Sequence, residues 1–145
     1  MHGHGDAVAA PTVELIRAAL TVQLGDDRAG RVPLDGTLAV RILADMRAHL
    51  ADPQLCPAAA AARQHVSVRY LHRVLQREGV RFGAWVRHRR LEDTRRDLAD
   101  PAFGTATVAA VARRWGFTDA AQYSRTFRAA YGMSPREWRA AGRPR

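Results

Sequence analysis

One stretch decides the fold of this chain: Trp115-Gly116-Phe117-Thr118-Asp119, followed by Gln122-Tyr123-Ser124-Arg125-Thr126-Phe127-Arg128. It predicts two helices joined by a tight turn, because Gly116 can adopt the positive φ of a sharp turn and Asp119 is a good N-cap. Tyr123, Phe127 and Tyr131 recur every four residues and predict a buried stripe. Gln122, Arg125 and Arg128 fall on another side. An apolar back and an Arg/Gln front after a tight turn are typical of a helix-turn-helix unit.

An earlier segment, residues 59–79, repeats this layout. Each segment has a helix of small residues, an apolar turn residue, a Ser or Asp cap, and a second helix that ends at a glycine. In each, an arginine (Arg73 or Arg125) lies two residues before an inward apolar position (Leu75 or Phe127). The sequence therefore predicts two helix-turn-helix units in one chain.

The charge of the chain is positive and unevenly distributed. The 145 residues carry a formal net charge of +9, and the isoelectric point is about 11.3. Residues 1–52 contain 5 Arg and 7 Asp or Glu, whereas residues 53–145 contain 18 Arg and 7 Asp or Glu. A strongly basic surface favours an anionic partner, with nucleic acid first and a membrane surface second. We therefore expect the binding surface in the C-terminal two-thirds.

No strand pattern occurs, so the predicted class is all-α: two helix-turn-helix subdomains joined by a long linker helix, about seven helices, plus an N-terminal helix. We expect residues 1–36 to form a flexible lead with a helix at 11–24 and a linker, followed by a helix at 37–51. Residues 37–142 would form the DNA-binding domain, with the first unit at about 57–79, the linker helix at 82–98 and the second unit at about 107–131.

The predicted linker helix is roughly 25 Å long at about 1.5 Å per residue. Two recognition helices joined by it would lie about one turn of DNA apart, which is roughly 34 Å. A monomer would then contact two successive major grooves, and a shorter separation would bend the DNA.

Composition excludes several function classes. The one cysteine, Cys56, rules out an intramolecular disulfide framework and a multi-cysteine metal site, and it agrees with a reducing cytoplasm. No apolar run of 18 residues occurs, so we expect a cytoplasmic, nucleoid-associated protein without a membrane partner. Because the sequence has no Gly-rich phosphate loop, paired carboxylates or metal cluster, we expect no enzyme, no cofactor and no metal site.

The two units and the linker helix resemble the C-terminal double helix-turn-helix DNA-binding domain of AraC/XylS-type bacterial transcription regulators. The resemblance covers about residues 38–141 and rests on Ser67, Tyr70, Leu71, Arg73, Gly79, Arg89, Arg90, Leu91, Gly116, Phe117, Ser124, Arg125, Phe127, Gly132, Ser134, Pro135 and Arg139. Two positions depart from the family pattern: Tyr123 stands where a Phe is usual, and His65 stands where a small turn residue is common.

The resemblance implies a regulator that binds promoter or operator DNA as a duplex and activates transcription by contacting RNA polymerase. Many members also carry an N-terminal effector-binding and dimerising domain. The helix at 11–24 looks like the end of such a domain, and its apolar face would allow a homodimer.

The predicted DNA contacts lie on the exposed faces of the two second helices and at their caps. By resemblance, base-facing positions are Arg69, His72 and Arg73 in the first unit and Ala121, Gln122 and Arg125 in the second. Arginine suits guanine O6 and N7, and glutamine suits adenine N6 and N7. The complete predicted set is Ser67, Arg69, His72, Arg73, Gln76, Arg77, Ala121, Gln122, Ser124, Arg125 and Arg128. Further candidates for contact with the DNA backbone are Arg81, Arg87, Arg89 and Arg90.

Two other functions fit the same sequence. A sequence-independent, DNA-bending architectural protein would show steep salt dependence with little preference among sequences. A dimerising fragment of a ligand-responsive regulator would change size in solution with concentration. A cysteine-based methyl acceptor is disfavoured, because relatives of that kind use several cysteines and this chain has one.

Overall fold

The computed structural model describes the backbone of residues 31–142 and the side chains of residues 36–142. Those residues form seven α-helices, one short 3-10 helix and no strand, which confirms the all-α prediction. In chain order the helices are α1 (Arg31–Ala48), α2 (Pro57–Arg63), α3 (Val68–Arg77), α4 (Phe82–Ala99), the 3-10 helix Pro101–Phe103, α5 (Val108–Arg114), α6 (Ala120–Tyr131) and α7 (Pro135–Ala141). The predicted helix at 11–24 lies outside the described residues.

Helix α1 begins earlier than the sequence suggests. The linker was expected to continue to residue 36 and the helix to cover 37–51, but residues 31–36 are already helical and the helix ends at Ala48. Pro33 is compatible with the first turn because the backbone N–H groups there have no intrahelical partner. At the other end, the His49 ring lies 2.8 Å from the Asp45 carbonyl oxygen, and residues 49–51 form a turn.

The described chain divides into two compact units, the first made of residues 31–49 and 55–86. In this unit α1 packs on α2 and α3, and α2 packs on α3. Its core contains the buried side chains of Leu38, Ile42, Met46, Ala60, Leu71, Val74 and Leu75. Arg63 at the end of α2 also donates to both carboxylate oxygens of Asp45, at 2.8 to 3.0 Å, and so ties α2 to α1.

The second unit contains residues 50–54 and 87–142. Its core is formed by Leu91, Leu98, Val111, Ala112, Tyr123 and Phe127. The predicted stripe on α6 is confirmed: Tyr123 and Phe127 are buried and Tyr131 is half-buried. The rings of Phe127 and Tyr131 meet at 4.7 Å between centroids, and Phe127 also contacts Trp138 of α7.

Hydrogen bonds from three aromatic residues help to attach the linker helix α4 to the rest of the second unit. Trp115 donates from its indole nitrogen to Asp97 at 2.7 Å, and Tyr131 donates from its hydroxyl to Glu92 at 2.6 Å. The Trp138 indole donates to the Arg95 carbonyl at 3.1 Å. The aromatic residues of this unit therefore combine apolar packing with hydrogen bonds that fix the orientation of their rings.

Candidate nucleic-acid interface

The turn of the first helix-turn-helix unit is a Schellman motif that follows α2. The amide of Val66 donates to the Ala61 carbonyl at 3.0 Å, and the amide of His65 donates to the Ala62 carbonyl at 3.1 Å. His65 has a φ of 57°, in the left-handed region that favours glycine. The predicted cap is confirmed, because the Ser67 hydroxyl oxygen accepts from the Tyr70 amide at 3.0 Å and starts α3.

Helix α3 separates its apolar and polar residues cleanly. Leu71, Val74 and Leu75 are buried. All six predicted contact residues of this unit are exposed: Ser67, Arg69, His72, Arg73, Gln76 and Arg77. At about 100° per residue, the five of them on α3 occupy an arc of roughly 140°. We call these five residues the α3 face.

The α3 face has few ties to the rest of the protein. Within residues 36–142, no hydrogen bond or ion pair engages the side chains of Arg69, His72, Arg73 or Gln76. An unpaired exposed guanidinium keeps all five of its N–H donors for a partner. This face therefore presents donors suited to an anionic, acceptor-rich surface.

The turn of the second unit repeats the geometry of the first. The Phe117 amide donates to the Ala112 carbonyl and the Gly116 amide donates to the Arg113 carbonyl, both at 3.1 Å. Gly116 has a φ of 92° and occupies the position that His65 occupies in the first unit. The Asp119 carboxylate accepts from the amides of Ala121 and Gln122, so this predicted cap is also confirmed.

The second unit presents the α6 face, which consists of Ala121, Gln122, Arg125 and Arg128. All four residues are exposed and span roughly 120° of the helix surface, while Ser124 at the edge is half-buried. Arg128 lies 3.9 Å from Glu137, and both side chains are more than half exposed. Such a pair is weak in water and leaves the guanidinium able to exchange partners. The α6 face has fewer polar side chains than the α3 face.

Arg90 is hydrogen-bonded within the second compact unit, which the sequence did not indicate. Its guanidinium donates to the Leu50 carbonyl at 2.8 Å and to the Asp52 carbonyl at 2.6 Å. Burial lowers its pKa, although the charge of Asp52 acts in the opposite direction. A Cβ built on Gly116 would lie 2.9 Å from the Arg90 guanidinium carbon. Arg90 is therefore held by two carbonyl groups of the protein, whereas Arg81 and Arg87 are exposed.

Val68, the first residue of α3, is 39 % exposed and is not among the contact residues predicted from the sequence. An apolar residue directly after the Ser67 cap was a visible signal, because the inward positions of α3 are already filled by Leu71, Val74 and Leu75.

Within residues 31–142, no helix is both long enough and apolar enough to cross a membrane.

Comparisons with known proteins agree with this architecture. A family model described as "Helix-turn-helix domain" matches residues 60–141, more than half of the chain. The chain is 33 % identical over 134 residues to "Transcriptional activator NphR" of a Rhodococcus species, and the match covers 92 % of this chain but 38 % of that relative. The chain therefore spans well under half the length of that relative.

A solved structure shares the fold. The crystal structure of a DNA-binding transcriptional dual regulator from Escherichia coli K-12 matches with a TM-score of 0.62 and 19 % sequence identity, covering 72 % of this chain and 96 % of the other. With both helix-turn-helix units and the matching family model in place, this chain belongs to the AraC-type helix-turn-helix family of DNA-binding transcription regulators.

Proposed function

We propose that this chain binds duplex DNA sequence-specifically, places α3 and α6 in successive major grooves, and activates transcription from the bound promoter. The observation that carries the proposal is the pair of capped second helices, each with a buried apolar side and an exposed arginine-bearing face. A recognition helix in this arrangement enters the major groove while the first helix of the unit crosses the DNA backbone.

The chemistry of the two faces supports direct contact with bases. Arg69, Arg73 and Arg125 suit the two acceptors of guanine, and Gln122 suits adenine. Ala121 offers only a methyl group, so the α6 face discriminates less among sequences than the α3 face. The first unit therefore contributes more of the sequence specificity than the second unit.

The capping hydroxyl of Ser67 supports contact with a phosphate next to α3. Its oxygen accepts from the Tyr70 amide, which leaves the hydroxyl proton available for an external acceptor. Contacts of this kind set the register of a recognition helix without distinguishing bases. Ser124, which lies half-buried within α6 at the edge of the α6 face, is a second candidate for a phosphate contact.

Activation is supported by the name of the Rhodococcus relative, a transcriptional activator. It requires a contact with RNA polymerase when the chain is bound upstream of a promoter. The homodimer expected through the helix at 11–24 concerns residues outside the described part of the chain and stays a prediction.

Selection from a randomised duplex library at physiological salt tests the proposal. The full chain is incubated with the library, and the bound duplexes are amplified and sequenced. We expect enrichment of two short boxes about ten base pairs apart, one helical turn of DNA. Enrichment of a single box would refute base recognition by both α3 and α6. Salt-sensitive binding without any enriched sequence would instead support a sequence-independent architectural protein.

A further inference from the structure

Val68 differs from every other large apolar side chain of α3. It is 39 % exposed, whereas Leu71, Val74 and Leu75 are at most 1 % exposed. Within residues 36–142 it is the most exposed of the large apolar side chains. Water contact with an isopropyl group is unfavourable, so a partner that covers Val68 gains free energy in proportion to the apolar area removed from water.

The position of Val68 brings it next to the predicted base-contacting residues. It is the first residue of α3, directly after the Ser67 cap, and it precedes Arg69. His72 lies four residues later, and at about 100° per residue the two side chains are roughly 40° apart around the helix. The N-terminal residues of a recognition helix are those that contact base edges.

The α3 face has no other group that can recognise an apolar feature of DNA. Its arginines, histidine and glutamine match hydrogen-bonding atoms on bases and phosphates. The apolar feature of a base edge in the major groove is the 5-methyl group of thymine. Val68 supplies the matching apolar surface at the edge of this face.

We propose that Val68 contacts a thymine 5-methyl group in the box bound by α3 and sets the preference for thymine at that position. The inference rests on the proposed function and adds a specificity-determining residue to it. Cytosine at that position would leave the isopropyl group without an apolar partner.

The test replaces each thymine of the selected α3 box, one at a time, by deoxyuridine, which lacks only the methyl group. Dissociation constants are measured for the full wild-type chain, Val68→Ala and Val68→Thr. We expect wild type to lose about fourfold in affinity at one thymine, corresponding to about 0.8 kcal/mol for one buried methyl group. Val68→Ala should bind the thymine and the deoxyuridine duplex equally. Val68→Thr keeps one of the two γ-methyl groups, so its loss of affinity on the deoxyuridine duplex should lie between those of the wild type and Val68→Ala.

Arg73→Ala serves as the matched control on the same face. It should weaken binding to both duplexes and keep the fourfold ratio, because it leaves Val68 in place. The inference is wrong if the selected α3 box contains no thymine, or if the affinity of the wild type does not change at any thymine replaced by deoxyuridine. It is also wrong if Val68→Ala keeps the fourfold ratio between the two affinities. These results leave the proposed function intact, whereas a library without any enriched sequence would refute both. Thermal unfolding of each variant checks that it is folded.

Discussion

At the residue scale, His65 carries backbone strain in the turn of the first unit. Its φ of 57° is in the left-handed region. Two other Schellman turns of similar geometry have a glycine at the equivalent position, Gly79 and Gly116. The left-handed region costs a non-glycine residue about 1–2 kcal/mol, and part of this is offset by the greater freedom of glycine in the unfolded chain. We therefore expect His65→Gly to raise the free energy of unfolding by up to about 1 kcal/mol.

Chemical denaturation of the wild type and His65→Gly measures this gain. The matched control is His72→Gly, which makes the same change inside α3, where glycine disfavours the helix and should lower stability. Destabilisation by both substitutions would show that His65 has a stabilising contact that outweighs its strain.

Tyr123 gives a second prediction at this scale. Its ring is buried and its hydroxyl lacks a well-formed hydrogen bond within the described residues. Burial raises the pKa of Tyr123 to about 12, compared with about 10 in an unfolded chain. The folded state therefore binds the Tyr123 proton more tightly than the unfolded state does. This difference stabilises the folded protein fully below pH 10, and the stabilisation is lost as the pH rises toward 12.

The free energy of unfolding should consequently fall between pH 10 and 12, by up to about 1.4 kcal/mol per pH unit for this group. Tyr123→Phe removes the titrating group and should reduce the slope. A residual slope is expected from Tyr131, whose pKa is also raised, first by burial and then by its hydrogen bond to Glu92. Parallel curves for the two proteins, measured by denaturation across this range, would contradict the assignment.

At the scale of elements, the turn of the second unit is specified by Gly116 together with Arg90. A Cβ at Gly116 would meet the guanidinium, and two hydrogen bonds to the carbonyls of Leu50 and Asp52 restrain that guanidinium. Gly116→Ala therefore combines backbone strain with displacement of Arg90. Gly132 is the matched control, because its φ of 78° is similar and a Cβ there meets nothing within 4 Å.

We expect Gly116→Ala to destabilise the protein more than Gly132→Ala, by about 1–3 kcal/mol, the typical loss for a buried group deprived of its hydrogen bonds. Equilibrium denaturation of both variants measures the difference. Equal effects would mean that the Arg90 side chain can move away from the turn without loss.

The helices were predictable where caps and apolar spacing agree. Ser67 and Asp119 each cap a helix as expected, and the stripe of Tyr123 and Phe127 is buried. The start of α1 was not predictable, because Pro33 and Gly36 suggest a linker although both are compatible with helical backbone. Arg90 was not predictable either, since its carbonyl partners lie about 40 residues earlier in the chain.

At the scale of the whole molecule, charge and repetition indicate function more directly than any single residue. The excess of arginine lies in residues 53–145, which contain both helix-turn-helix units. Arginine content alone does not separate contacts with bases from contacts with phosphates, or either from structural ties such as Arg90. Their exposure on the α3 and α6 faces makes Arg69, Arg73 and Arg125 candidates for DNA contact. Binding measurements on specific and non-specific DNA then distinguish base contacts from phosphate contacts.

The most direct test of the account compares affinity for the selected duplex with affinity for an unrelated duplex, for wild type, Arg73→Ala and Arg125→Ala. Arg41→Ala is the control, because Arg41 is an exposed arginine on α1 that lies outside the two helix-turn-helix segments at about 57–79 and 107–131, and it should leave both affinities nearly unchanged. Loss of a base contact removes about 1–3 kcal/mol of discrimination, so each variant should lose roughly 5- to 150-fold in specific binding and much less in non-specific binding. Equal losses on the two duplexes would contradict base recognition by α3 and α6 and would make both arginines phosphate contacts.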